Sequence, residues 1–146
     1  MQGHLTDFEW NEVLTPGTGL YNRWVEQVDV IAGYLRQLQG AGVPVLFRPY
    51  HEMNGNWFWW GGRRGEHGSL ALYRQLFDRF VHVHHLNNLV WVWNVNSPSE
   101  NAGPIASYYP GAEYPFRPST PIMCDAYVCR HLCRSHRSQR GWVLQA

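Results

Sequence analysis

The residues best equipped for chemistry sit together in Tyr50-His51-Glu52-Met53-Asn54-Gly55, followed at once by Trp57-Phe58-Trp59-Trp60. Glu52 is a carboxylate beside a run of aromatic rings. Glycosidic bonds are broken by carboxyl groups, one of which protonates the departing oxygen. Sugar rings present apolar C–H faces, which indole planes match. Glu52 is therefore the candidate general acid, with neighbours that hold water back from it; the plainer reading is a surface loop glutamate. His51 has two readings, orienting a sugar hydroxyl or making a structural hydrogen bond. Asn54, Trp57 and Trp60 are candidate sugar contacts. The four aromatic residues cannot all face one side, so some must pack beneath the loop. A zinc-protease helix would need a second histidine where Gly55 stands, so no metal is expected here.

These residues need a scaffold. Val43 to Phe47 is a short apolar run that stops at Arg48-Pro49, and it reads as a strand buried on both faces. Upstream, Trp24, Val28, Ile31, Leu35 and Leu38 form one helical stripe, with Asn22 as the cap and Gly40 at the end. Downstream, Ser69 opens a second helix whose Tyr73, Leu76, Phe77, Phe80, Val81 and His84 share a face. Asn87-Asn88 breaks it, and Leu89 to Val95 reads as a second buried strand. Trp91 and Trp93 on that strand are read as core. Helix, strand, loop, helix, strand is the rhythm of an α/β fold with a parallel sheet. Residues 1–22 read as loop, and residues 96–114 as another.

Composition narrows the function classes. The 146 residues are 45% hydrophobic and 15% aromatic, with eight Trp, enough for one domain with a real core. A formal charge of +1 implies no nucleic-acid or anionic-membrane partner. The total hides a switch: residues 1–114 carry seven Arg against ten acidic residues, whereas 115–146 carry five Arg and one Asp. Cys124, Cys129 and Cys133 all lie in that last segment, in a spacing that matches neither a disulfide framework nor a zinc site. Met1-Gln2-Gly3-His4 lacks the features of a signal peptide, and no apolar run approaches the roughly 20 residues that span a bilayer.

Arg48-Pro49-Tyr50-His51-Glu52-Met53-Asn54-Gly55 and Trp57-Phe58-Trp59-Trp60-Gly61 together resemble glycoside hydrolase family 26, best known for endo-β-1,4-mannanases. Leu14-Thr15-Pro16-Gly17-Thr18, Val28-Asp29-Val30-Ile31-Ala32, Trp91-Val92-Trp93-Asn94 and Tyr108-Tyr109-Pro110-Gly111 follow in the family's order, so the likeness covers roughly residues 5–114. The resemblance implies a (β/α)8 TIM barrel, of which this chain would hold strands four (Val43–Phe47) and five (Leu89–Val95). It implies retaining chemistry with two glutamates and no cofactor, acting on β-mannan or a related polysaccharide. Glu52 matches the acid/base after strand four, His51 the histidine before it, and Trp57 an aromatic beside the cleaved bond.

The same resemblance marks what is not matched. The family's nucleophile is a glutamate after strand seven, and neither Glu100 nor Glu113 matches it. The chain is expected to be a central fragment: residues 1–114 a partial catalytic domain, and 115–146 a non-family, disordered tail from a shifted reading frame. On this reading the fragment alone is inactive, and the intact parent enzyme is secreted. The alternative is a non-catalytic carbohydrate-binding module with Trp57 to Trp60 as its platform.

Overall fold

The computed structural model describes residues 3–114 and the backbone of 117–119. The first helix, α1 (Asp7–Leu14), lies inside the segment expected to be loop. Its start is a capping box. Glu9 N donates to Thr6 Oγ1 at 3.2 Å, and Thr6 N donates to Glu9 Oε2 at 2.8 Å. Two orphan amides are thereby satisfied, and the acidic residues of the first turn face the positive end of the helix dipole. With only two turns, α1 has too few apolar repeats for periodicity to reveal it, but Trp10 and Val13 are buried.

Helix α2 (Gly19–Gly40) starts three residues before the expected Asn22 cap, because Thr18 accepts from Tyr21 N at 3.3 Å. Its buried line is Trp24, Val28, Ala32 and Leu35. Ile31 and Leu38, expected on that line, are 43% and 39% exposed and lie at its edge. The chain then turns through Gly42, whose φ of +70° is left-handed, and enters β1 (Val45–Phe47).

Helix α3 (Ser69–Asp78) begins after Gly68, so Ser69 is its first residue rather than its cap. It runs into a π-helical turn over Arg79–Val83, and β2 (Leu89–Asn94) follows. β1 and β2 pair in parallel, Phe47 opposite Trp91, with α3 as the crossover between them. A crossover of this kind is what lets parallel neighbours pair. The core lies between this sheet and the helices. Trp91 meets Phe47 edge-on at 5.2 Å, Phe77 at 4.8 Å and Tyr73 at 5.7 Å.

Two expectations change here. The first strand is not buried on both faces: Leu46 is 74% exposed. Side chains alternate along a strand, so Val45 and Phe47 face the helical layer and Leu46 faces away from it. The second change is a third parallel strand, β3 (Arg117–Ser119), which pairs with β2 and puts Pro118 opposite Trp93. It lies beyond residue 114, where no further strand was expected. Proline is tolerated on an edge strand, and among the described residues β3 is an edge in the order β1-β2-β3. Three residues are too few to carry a period. The expectations for residues 120–146, including the cysteines and the basic tail, lie outside the described residues. The described part is thus a partial α/β fold.

Candidate active site

The loop after β1 winds tightly and is fixed from several directions. Tyr50 and Glu52 both have left-handed backbones, with φ of 48° and 54°. Such values in non-glycine residues cost energy and persist where surrounding contacts over-determine them. For Glu52 one such contact is plain: its N–H donates to Asn94 Oδ1, at the end of β2, at 3.0 Å. Tyr50 is held at its phenol oxygen, which accepts from Trp24 Nε1 at 2.9 Å. Burial pushes the Tyr50 phenol well above its ordinary titration range, and the Trp24 bond only partly opposes this.

The Glu52 carboxylate is half-buried and accepts a hydrogen bond from Trp57 Nε1 at 2.9 Å on Oε2. That bond depends on Gly55. A Cβ at this position would sit 2.3 Å from a ring atom of Trp57, so only a residue without a side chain lets the indole fold back to the acid. His51 is half-buried, its ring set against Phe58 at 4.7 Å and Trp60 at 5.4 Å. Glu52, His51 and Trp57 therefore come together on one turn.

Trp60 and Asn54 are placed differently. Trp60 is 8% exposed, stacks on Phe58 at 4.4 Å and 12°, and donates through Nε1 to the His51 carbonyl at 3.0 Å. It forms the floor of the loop. Asn54 is 1% exposed. Its Nδ2 donates to the carbonyls of Asn96 at 2.8 Å and Gly103 at 3.0 Å, and its Oδ1 accepts from Asn96 N at 2.7 Å. Gly103 N also donates to the Asn54 carbonyl at 2.8 Å. Both residues, expected to touch sugar, are turned into the protein and hold the loop. Asn94, whose side chain accepts the Glu52 N–H, was not among the expected site residues. Its signal was a polar residue closing the apolar run of β2.

Trp59 meets Trp60 edge-on at 84°. The aromatic run is thus an interlocked cluster and not a row of coplanar rings. Among the described residues, no group of three or more His, Cys, Asp or Glu is arranged to hold a metal ion. No described helix is long and apolar enough to cross a membrane. A cleft of about 470 Å³ lies between Tyr21, Arg74, Gln75 and Asp78 and includes no residue of the Glu52 loop.

A second polar cluster ties α2 to the π-helical turn. Arg79 grips Asp29 with two bonds of 2.6 and 2.5 Å. His84 Nδ1 faces Arg36 Nη2 at 2.9 Å, and Nε2 faces Asp29 Oδ1 at 2.6 Å. A guanidinium only donates, so Nδ1 is the acceptor and Nε2 carries the proton towards Asp29. The hydrogen bonds from Arg79 hold the Asp29 carboxyl below its usual range, although burial works the other way.

Comparison with known proteins supplies the remaining findings. The family model for glycosyl hydrolase family 26 matches residues 2–118. A mannan endo-1,4-beta-mannosidase of Thermothelomyces thermophilus is 42% identical over 107 residues, which is 73% of this chain and 20% of that enzyme. The chain spans from 15% to 20% of the length of the first curated relatives it matches. Among solved structures, GH26A from Muricauda sp. superposes with a TM-score of 0.79 at 50% identity, over 82% of this chain and 40% of that one. A beta-mannanase from a symbiotic protist of the termite Reticulitermes speratus, complexed with gluco-manno-oligosaccharide, superposes with a TM-score of 0.71 at 32% identity. That match covers 94% of this chain and 42% of the other.

Proposed function

The chain belongs to glycosyl hydrolase family 26, and from that we propose that Glu52 is the proton donor of a β-mannan-cleaving site. The observation that carries this reading is the Glu52 carboxylate itself. It stands at the exit of a parallel strand, half-buried, with an indole donor at 2.9 Å. In a (β/α)8 barrel, catalytic groups stand at the C-terminal ends of strands. β1 and β2 then correspond to strands four and five, and β3 to strand six. The reaction is retaining: Glu52 protonates the leaving oxygen, a second carboxylate takes the sugar as a covalent ester, and Glu52 then deprotonates the attacking water. Trp57 holds the acid and lines the sugar subsite with His51; Asn54 and Trp60 act beneath the loop by keeping its shape.

On this reading the second carboxylate comes from outside the described residues. Retaining chemistry needs the two groups about 5–5.5 Å apart. Three of the ten acids of the described residues are paired with arginines: Asp7 with Arg63, Asp29 with Arg79 and Glu66 with Arg74. By itself the chain is inactive, and the parent enzyme to which such a segment belongs acts outside the cell on mannan or glucomannan. The binding-module alternative is less well supported, because Phe58 covers one face of Trp60. Retardation in a mannan gel by the Glu52→Gln chain, lost in Trp57→Ala and without any hydrolysis by the unaltered chain, would favour it.

The acid role is tested by grafting residues 5–114 into the matching segment of a solved family 26 mannanase. Glu52→Ala in the graft should abolish mannan cleavage while sparing the first-turnover burst of a dinitrophenyl group, which leaves without a proton; later turnovers slow because Glu52 is also the base of the second step. Loss of that burst along with mannan cleavage would contradict a role as general acid.

A further inference from the structure

We propose that Asn94 is a positioning residue for the acid, holding the Glu52 backbone in the left-handed conformation from which its carboxylate reaches Trp57. This rests on the reading of Glu52 as the proton donor. Asn94 is the last residue of β2 and is 1% exposed, a place where an apolar residue would ordinarily complete the strand. Its Oδ1 accepts the Glu52 N–H at 3.0 Å across 42 residues of sequence. A buried amide that loses its acceptor carries the whole cost of its desolvation. With a φ of 54°, Glu52 has a backbone that relaxes once that acceptor is removed. Relaxation would swing the side chain away from Trp57 Nε1, now 2.9 Å from Oε2.

The division of labour with Asn54 is geometric. Asn54 ties its own segment to Asn96 and Gly103, downstream of β2. Asn94 reaches the acid residue itself, and it stands on a strand rather than on a loop. A strand end is a more rigid anchor than the turn it holds. The same strand pairs with β1, directly below the acid loop, in the register Phe47–Trp91. The acid is therefore referenced to the sheet through two routes, one covalent through β1 and one through the Asn94 amide.

The test uses the 146-residue chain with Asn94→Leu, which keeps the size and removes the acceptor, and Asn94→Asp, which keeps an acceptor oxygen. Two readouts are followed: hydrogen exchange of the Glu52 amide, and the pH response of the Trp57 indole resonance, identified by its loss of response in Glu52→Gln. Asn94→Leu should speed Glu52 exchange by about tenfold or more and uncouple the Trp57 indole from Glu52. Asn94→Asp should retain the protection and the coupling. Unchanged exchange and coupling in Asn94→Leu would overturn the proposal, as would Asn94→Asp behaving like the leucine variant. If Asn94→Leu unfolds globally, the Trp10 indole, bonded to the His67 carbonyl, changes as well, and the aspartate variant then decides. These readouts need no turnover. If Glu52→Ala left mannan cleavage intact in the graft, the function would fail while the clamp could still stand.

Discussion

Replacing Asn54 tests whether the acid loop is held by buried amide bonds or by its aromatic packing. The side chain makes three hydrogen bonds, at 2.8, 3.0 and 2.7 Å, from a site that is 1% exposed. At about 1 kcal/mol net for each bond, and more for the Gly103 carbonyl that is left buried, Asn54→Ala should cost about 3–5 kcal/mol. Against a total stability of about 5–15 kcal/mol for a typical domain, such a loss is large.

Asn54→Asp refines the test. One oxygen can still accept from Asn96 N, but the other would face two carbonyl oxygens where a donor stood. The ionised form is disfavoured in the fold, so the folded pKa of the new carboxyl is raised above its unfolded value of about 3.9. In that window the folded state binds more protons, so stability falls as pH rises and returns as the carboxyl protonates. Urea unfolding followed by tryptophan fluorescence at pH 7 and pH 4 would read both effects. A cost below about 1 kcal/mol for Asn54→Ala would refute the reasoning. So would an Asn54→Asp penalty, relative to the unaltered chain, that is equal at the two pH values.

Other consequences can be checked in the same way. Gly55→Ala should push the Trp57 ring off the acid, because a Cβ there meets it at 2.3 Å; the Trp57 indole proton would then lose its dependence on Glu52 in an NMR titration. Thr6→Ala should cost about 0.5–2 kcal/mol in urea unfolding, since it removes half of a capping box. The stabilisation from Asp29 should be complete above an ordinary aspartate value of about 4 and lost as pH falls through its lowered folded value. Arg79, which makes two bonds to Asp29, is the main cause of that lowering. Arg79→Gln should therefore flatten the acid limb of a stability–pH profile.

The sequence was most informative where physics is local and strongly patterned. The line Trp24, Val28 and Leu35 placed α2, and the run expected as a strand over Leu89 to Val95 placed β2, which spans Leu89–Asn94. The motif around Glu52 carried the family resemblance before any geometry was known, and the family model matches residues 2–118. Short elements escaped: α1 was written in the Thr6–Glu9 box rather than in a period, and β3 spans only three residues. The exposure of Leu46 was illegible because a buried strand and a half-covered one share the same apolar residues. Within the site, Asn54 and Trp60 have the residue types of sugar contacts, and only their hydrogen bonds and stacking reveal that they face inward. Asn94 lies 42 residues from Glu52, and local sequence pattern cannot announce a contact at that range.

The most direct measurement is release of reducing ends from β-mannan by the purified 146-residue chain beside its Glu52→Gln variant. If Glu52 is one half of a two-carboxylate site, neither protein releases sugar above background. Hydrolysis by the unaltered chain that disappears in Glu52→Gln would contradict this, and would place a working nucleophile within these 146 residues.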